Sequence, residues 1–307
     1  MRDSSQSGFS LFTDDPGLYD GEHYLQSHIK VCDVISKWEH IFKEKNSGKL
    51  DSSKTIKFLY KNRLYFKSTC KSETDKEKLM LAYQINDDIV QGRFPLNRDL
   101  ALELTSLLAQ VEYGDLKLSS SDYSDGAIYQ ANIAQQVSTV LDRFYPKKFT
   151  HVSDDEQRSV ISKLLERWSS LRGRSAQDCI RVYLAVVRKW QYCGAKLFQT
   201  KTKTSPGGKE DVWVAVHEEG ITVLEYSTMQ PIISYDYRSV ITFGGWKEDF
   251  MVVATQLIES APHHYEHRTE KLLFGMEKWK ILEITLLMAS YINVRVQRPS
   301  YDISPES

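Results

Sequence analysis

No stretch of this sequence is both long and apolar. The most apolar run, ILEITLLMASYI at 281–292, carries Glu283. It falls well short of the roughly 20 residues that cross a bilayer, so it reads as a core helix. An excess of charge is also missing, with 40 Lys and Arg against 41 Asp and Glu. No global field gathers nucleic acid or coats a membrane, and charge-driven binding has to come from a local patch. Cysteines are few. Cys32, Cys70, Cys179 and Cys193 lack CxxC spacing, which fits reduced thiols in a cytosolic chain better than disulfides or zinc. The start, MRDSSQSGFSLF, lacks the basic and then apolar layout of a secretory signal.

Catalytic signatures are missing as well. There is no Gly-rich loop opening a helix, no Walker lysine, no kinase set, and no cysteine and arginine at the spacing of a phosphate cradle. His263 and His264 follow Pro262. Neighbouring positions on a strand point to opposite faces and cannot share one ion, so this pair reads as a surface turn. His23, His28 and His40 are spread along one thin region. The expectation is therefore a protein without catalytic residues, bound metal or cofactor.

What is present is a soluble balance, 41% hydrophobic and 26% charged over 307 residues, long enough for two or three cores. Helix punctuation dominates the middle. Thr74 with Glu77, Ser153 with Glu156 and Ser175 with Asp178 place a hydroxyl three residues before an acid, the pattern in which side chains satisfy the free amides of a first turn. Between Pro95 and Gly114, Asn97 is a cap and Leu100, Leu104, Leu107, Leu108 and Val111 recur at helical spacing. A further helix carrying Ile133, Val137, Val140 and Leu141 starts near Ser121 or Asp125. In the helix after Thr74 the predicted apolar side holds Leu79, Ala82, Tyr83, Ile89 and Val90. One-sided helices on short connections hide their stripes against each other, so 73–194 reads as a helical bundle.

After Gly194 the period changes to 2. AKLFQTK, DVWVAV, GITVLEY, IISYDY, VITFGG, FMVVAT and TEKLLFGM are short, β-branched and aromatic segments, expected as seven antiparallel strands. Helical spacing returns at 277–293, so 195–296 reads as a small β lobe closed by a helix, followed by a disordered tail at 297–307. In 1–72, GFSLF and KTIKFLYKNRLYFK alternate like strands around the helical segment IKVCDVISKWEHIFK, with Val31, Val34, Ile35 and Trp38 on one face. Three elements make a thin core, which implies a missing amino-terminal part.

Tyr83-Gln84, the turn Gly92-Arg93-Phe94-Pro95, and the run from Gln110 to Tyr113-Gly114-Asp115 resemble the second lobe of the FERM module. Arg172-Gly173-Arg174-Ser175, and Tyr192-Cys193-Gly194-Ala195 before Phe198, resemble its passage to the third lobe. Val214 to Ile221, and Ile241 through Ile292, resemble the pleckstrin-homology-like third lobe. SGFSLFTDDP at 7–16, CDVISKWE at 32–39 and YKNRLYFK at 60–67 look like the FERM region of the pleckstrin-homology-domain-containing family H proteins, relatives of MyTH4-FERM myosin tails. The resemblance implies a multi-lobed α+β fold: a partial ubiquitin-like lobe truncated at its amino end, a bundle like acyl-CoA-binding protein, and a PH/PTB-like seven-stranded lobe with a carboxy-terminal helix. It also implies a noncatalytic cytoplasmic adaptor or scaffold at the membrane–cytoskeleton periphery, binding receptor tails or cytoskeletal and adaptor proteins and no nucleic acid.

Two binding sites are candidates. An extended peptide can add to an open strand edge while its side chains enter an adjoining groove. The edge of VITFGG beside the last helix offers Val240, Thr242 and Gly244, with Leu287 on a polar helix face beside Lys280 and Glu283, and Ile284 and Tyr291 at its margin. The plain alternative is that Ile284, Leu287 and Tyr291 close the core. The second candidate is a basic run, Lys54, Lys57, Lys61 and Arg63, extended by Lys67 and Lys71. Phosphoinositide or an anionic leaflet attracts such residues by about 1 kcal/mol each. A hairpin turn at Lys61-Asn62 would scatter them, and a charge run is commonly only a solvated face.

Overall fold

The computed structural model describes residues 8–13, 22–45, 55–116, 126–150, 153–203, 210–261 and 264–297. Lys54, the predicted helix start at Ser121 or Asp125, His263 and residues 298–307 of the predicted tail lie outside the described residues. The chain divides into two compact units, one of residues 70–193 and one that joins 1–69 to 194–307.

The first unit is helical. Its elements are α2 (Asp75–Val90), α3 (Arg98–Tyr113), α4 (Gly126–Phe144), α5 (Asp154–Ser170) and α6 (Ala176–Val187). Sequence punctuation explains their ends. Thr74 and Glu77 form a reciprocal capping box, and Asn97, Ser153 and Ser175 each accept a backbone N–H from the residue three positions on, which satisfies donors that a helix leaves free. Gly114 leaves α3 at φ +69°, and its N–H donates to the Gln110 carbonyl. The middle of α3, from Leu104 to Gln110, is buried on every side, so the bundle is organised around this helix. Full burial of one Leu contributes about 1.5–3 kcal/mol. The buried side of α2 consists of Leu81, Ala82, Ile85, Asn86 and Ile89. Leu79, expected inside, is exposed; the helix, which packs on α6 and α4, is turned so that Leu81 and Ile85 are buried instead. The ends of the unit are joined by Arg188, which donates to both Glu73 carboxylate oxygens at 2.7 and 2.6 Å.

The second unit contains two sheets. In the smaller, β1 (Phe9–Thr13), β2 (His23–Tyr24) and β3 (Phe58–Asn62) are ordered β2-β1-β3, all antiparallel. The helix α1 (Val31–Lys45) buries Trp38 and Phe42, stacked at 5.4 Å, while Val31 is exposed. No hairpin turn falls at Lys61-Asn62, because β3 pairs with β1 without interruption from Phe58 to Asn62.

The larger sheet holds β4 (Lys196–Thr202), β5 (Glu210–Val216), β6 (Gly220–Glu225), β7 (Pro231–Asp236), β8 (Val240–Trp246), β9 (Asp249–Ala261) and β10 (His264–Gly275), followed by α7 (Lys278–Gln297). Its order is β7-β6-β5-β4-β10-β9-β8, antiparallel throughout. Edge strands β7 and β8 therefore lie at opposite ends of the order. Inward residues such as Val214, Phe250, Val252 and Phe274 meet the apolar side of α7. The chain just after β3 also enters this core: Phe66 is buried there, and the Tyr65 N–H donates to the Tyr291 hydroxyl at 3.0 Å. Gly194 is required at this crossing, because a Cβ there would lie 2.3 Å from the Tyr65 ring. The fold is mixed α+β, with ubiquitin-like, helical and PH/PTB-like lobes.

Candidate functional site

The helix α7 runs beside β8 in the opposite direction, as contacts at both ends show. A Cβ on Gly245 would lie 2.4 Å from Ile281 Cγ2, so the first turn of α7 sits directly on the end of the strand. At the other end, the Tyr237 ring stacks on Tyr291 at 6.2 Å and lies 5.8 Å from the Arg295 guanidinium. A helix turns about 100° per residue. Ile281 faces β8, whereas Glu283 turns away to Lys196 of β4 at 3.6 Å. The flank of α7 toward β8 therefore carries Lys278, Leu282, Thr285, Ala289, Ile292 and Val296, of which Lys278 in the first turn alone is charged.

The pleat of β8 follows from its register. Val240, Phe243 and Gly245 pair with Ala254, Val252 and Phe250, all buried, and so point inward. Thr242, Gly244 and Trp246 point outward. A bulge between Val240 and Thr242 leaves Ile241 59% exposed, and Trp246 is 71% exposed. On α7, Leu282 is 58% exposed. Nothing lies within 4 Å of where a Gly244 Cβ would be. The site is an open strand edge, a helix flank beside it whose one charge is Lys278 in the first turn, and three large apolar side chains left in water.

Of the predicted groove residues, Val240, Thr242 and Gly244 lie on this edge. Ile284, Leu287 and Tyr291 do not join them. They are 0%, 3% and 1% exposed and belong to the core of the lobe. The physical reason is that α7 is apolar on nearly every side, so spacing alone does not single out its buried face, and the crossing of Tyr65 and Phe66 covers Tyr291. Burial pushes the Tyr291 phenol above its ordinary value, as expected for a group held neutral inside. Ile241, Trp246 and Leu282 were missed; the available signal was that VITFGGW contains no charge.

The basic run is dispersed by its partners. Lys61 donates to both Glu22 carboxylate oxygens at 2.7 and 2.8 Å. The Arg63 guanidinium lies 3.7 Å over the Tyr24 ring and donates to Ser290 Oγ at 2.9 Å, and burial pulls it below its ordinary value. Lys57 is exposed. Lys61 and Arg63 are thus each engaged by neighbouring groups, Lys61 by a carboxylate that offsets its charge. Among the described residues no group of three or more His, Cys, Asp or Glu side chains converges as metal ligands would, and no helix is long and apolar enough to cross a membrane.

Known proteins match this architecture. The FERM central domain family matches residues 71–198. The uncharacterized protein CG43867 of Drosophila melanogaster is 48% identical over 295 residues, 94% of this chain and 15% of that protein. FERM domain-containing protein B of Dictyostelium discoideum is 23% identical over 54% of this chain and 32% of its own length. The chain thus spans under a third of either relative. Among solved structures, the human Myosin 7b C-terminal MyTH4-FERM domain in complex with harmonin-a PDZ3 matches 95% of this chain and 52% of that one, with TM-score 0.66 and 15% identity. The Drosophila Merlin FERM and C-terminal domain complex covers 96% and 85%, with TM-score 0.62 and 12% identity.

Proposed function

From the match of residues 71–198 to the FERM central domain, and from the fold shared with MyTH4-FERM and Merlin structures, we propose that this chain is a noncatalytic FERM module. It docks partner proteins at the cytoplasmic face of the membrane and cytoskeleton, as an adaptor related to the pleckstrin-homology-containing family H proteins. Its partners are cytoplasmic receptor tails or cytoskeletal and adaptor proteins. That the Myosin 7b and Merlin structures are complexes with other protein segments is consistent with this reading.

One observation carries the docking site. The β8 edge has neither a charged residue nor a proline along its whole length. Open edges are commonly protected by those devices, because free N–H and C=O groups recruit further strands. An edge strand without charge or proline is a template for an added strand. The phosphoinositide alternative has less support, since Lys61 and Arg63 are already engaged.

Titration of receptor-tail peptides against the chain and against Thr242→Lys tests the reading. Thr242 is exposed and points outward, so the variant should keep its fold and lose the peptide. Unchanged affinity for a bound peptide in Thr242→Lys removes the β8 assignment. Sedimentation with liposomes of neutral lipid, with and without phosphoinositide, tests the alternative; equal recovery with both removes it.

A further inference from the structure

Where the helical unit begins and ends, the chain comes back upon itself and brings two thiols together. Cys70 lies in the short 3₁₀ turn Lys67–Ser72 that leads into α2. Cys193 lies in the turn after α6, its N–H donating to the Trp190 carbonyl at 3.0 Å. To one side of the pair, a Cβ on Gly194 would come within 2.9 Å of Tyr65 Cβ. To the other, Arg188 donates to both Glu73 carboxylate oxygens at 2.7 and 2.6 Å. Two contacts thus draw the same two segments together, and the cysteines stand between them in sequence.

The thiols are unequal. Cys193 is 6% exposed, and burial pushes it up to about 12. The Arg188 guanidinium, the Cys70 sulfur and the Glu73 carboxylate all lie near enough to act on its ionisation. So does the Tyr183 hydroxyl, which is buried without a hydrogen-bond partner. A thiol held this firmly protonated does not start a reaction with an oxidant. Cys70 is half-exposed, so an oxidant from solvent reaches it first. A 3₁₀ turn has poorer bond geometry than an α-helix and yields to the shift that sulfur–sulfur bonding requires.

We propose that Cys70 and Cys193 are a peroxide-responsive pair that closes a disulfide between the entry and the exit of the helical unit. The Cys70 thiolate attacks one peroxide oxygen, the O–O bond breaks, and the departing hydroxide takes a proton from solvent to become water. The Cys193 sulfur then attacks the Cys70 sulfenic acid. The S–O bond breaks, the S–S bond forms, and the Cys193 proton leaves with the second water. Two thiols and one peroxide give one disulfide and two waters, with two electrons passing from sulfur to oxygen. Cys32, exposed beside Asp33, and Cys179, buried within α6, have no such placement. In compartments that keep thiols reduced, bonds of this kind are transient and act as sensors. A link spanning residues 70–193 restrains a long unfolded loop, so oxidation stabilises the unit.

The full chain is treated with about equimolar hydrogen peroxide, and remaining thiols are blocked with N-ethylmaleimide in denaturant at mildly acidic pH. A digest without reductant is then read by mass spectrometry. The expected product is the Cys70 peptide joined to the Cys193 peptide, released by dithiothreitol and absent from Cys70→Ser. Thermal unfolding of the oxidised chain should lie about 5–10 °C above that of the reduced chain. Peroxide should not raise it in Cys70→Ser, a half-exposed position at which the reduced variant should unfold close to the parent. Recovery of Cys70 as sulfinic or sulfonic acid, with Cys193 still a thiol, overturns the proposal. So does a bond that joins either residue only to Cys32 or Cys179, or a rise in unfolding temperature that persists in Cys70→Ser.

Discussion

The two free edges of the seven-stranded sheet have opposite chemistry. At β7 the strand opens with Pro231, closes with Asp236, and contains a bulge opposite Val223 and Leu224. A chain of side-chain hydrogen bonds, His217 to Thr222 and Thr222 to Ser234, each 3.0 Å, fastens it to β6 and the preceding turn. At β8 there is a bulge but no proline and no charge. One edge is closed to further strands by its own residues, and the other is left able to pair. The same sheet therefore ends in an edge carrying proline and charge on one side and an edge carrying neither on the other, and the difference lies in a handful of side chains.

The largest test of this contrast concerns the wall of the groove. Leu287→Asp places a charge inside the core next to Met288 and Ile284 and should cost more than about 4 kcal/mol, unfolding the β lobe. Thermal unfolding measures it; a stable variant would mean that Leu287 faces the groove after all. Next in size is Gly245→Val, whose Cβ meets Ile281. Displacing the first turn of α7 from β8 should cost about 1–3 kcal/mol in denaturant unfolding and weaken partner binding with it.

The β7 side is tested by pH. Burial lowers the His217 imidazole to about 4 from its ordinary 6.5, and the Glu219 N–H donates to its Nδ1. Between those two values the unfolded chain binds a proton that the folded chain refuses, so stability falls as pH drops from 6.5 and levels off below about 4, by about 3 kcal/mol in total. Burial raises the neighbouring Glu218 carboxyl and works in the opposite sense. Unfolding of His217→Gln beside the parent isolates the imidazole, and the difference between them should shrink toward low pH. The smallest effects are at the edges themselves. Thr242→Lys on β8 and Ile232→Lys on β7 both alter exposed positions and should change stability by less than about 0.5 kcal/mol. Partner binding should be lost only in the β8 variant; loss in both would erase the distinction between the edges.

Much of the fold was legible in advance, for identifiable reasons. Thr74, Asn97, Ser153 and Ser175 cap helices where their spacing placed them, because capping is a local bond between residues three apart. The period-2 segments after Gly194 became strands because alternation fits a sheet buried on one face. The misses are all non-local. Spacing placed Leu79 inside α2, whereas the neighbours of that helix bury Leu81 and Ile85. Tyr291 and Leu287 looked like a groove wall because α7 is apolar around its circumference. Lys61 and Arg63 looked like a cationic patch because Glu22 and Tyr24 are about forty residues away in sequence.

The sequence by itself determined where helices begin, where the period changes from 3.6 to 2, and that no strongly charged surface or metal motif dominates. These follow from dihedral preference and from bonds between near neighbours. Tertiary structure alone decided which side of α7 is core, that the chain around Tyr65 seals Tyr291, and that the uncharged strand β8 ends the sheet instead of running through its middle. An uncharged strand is suitable for either position. Only strand order places it at the border of the sheet, where the outer main-chain groups of an apolar segment have no neighbouring strand.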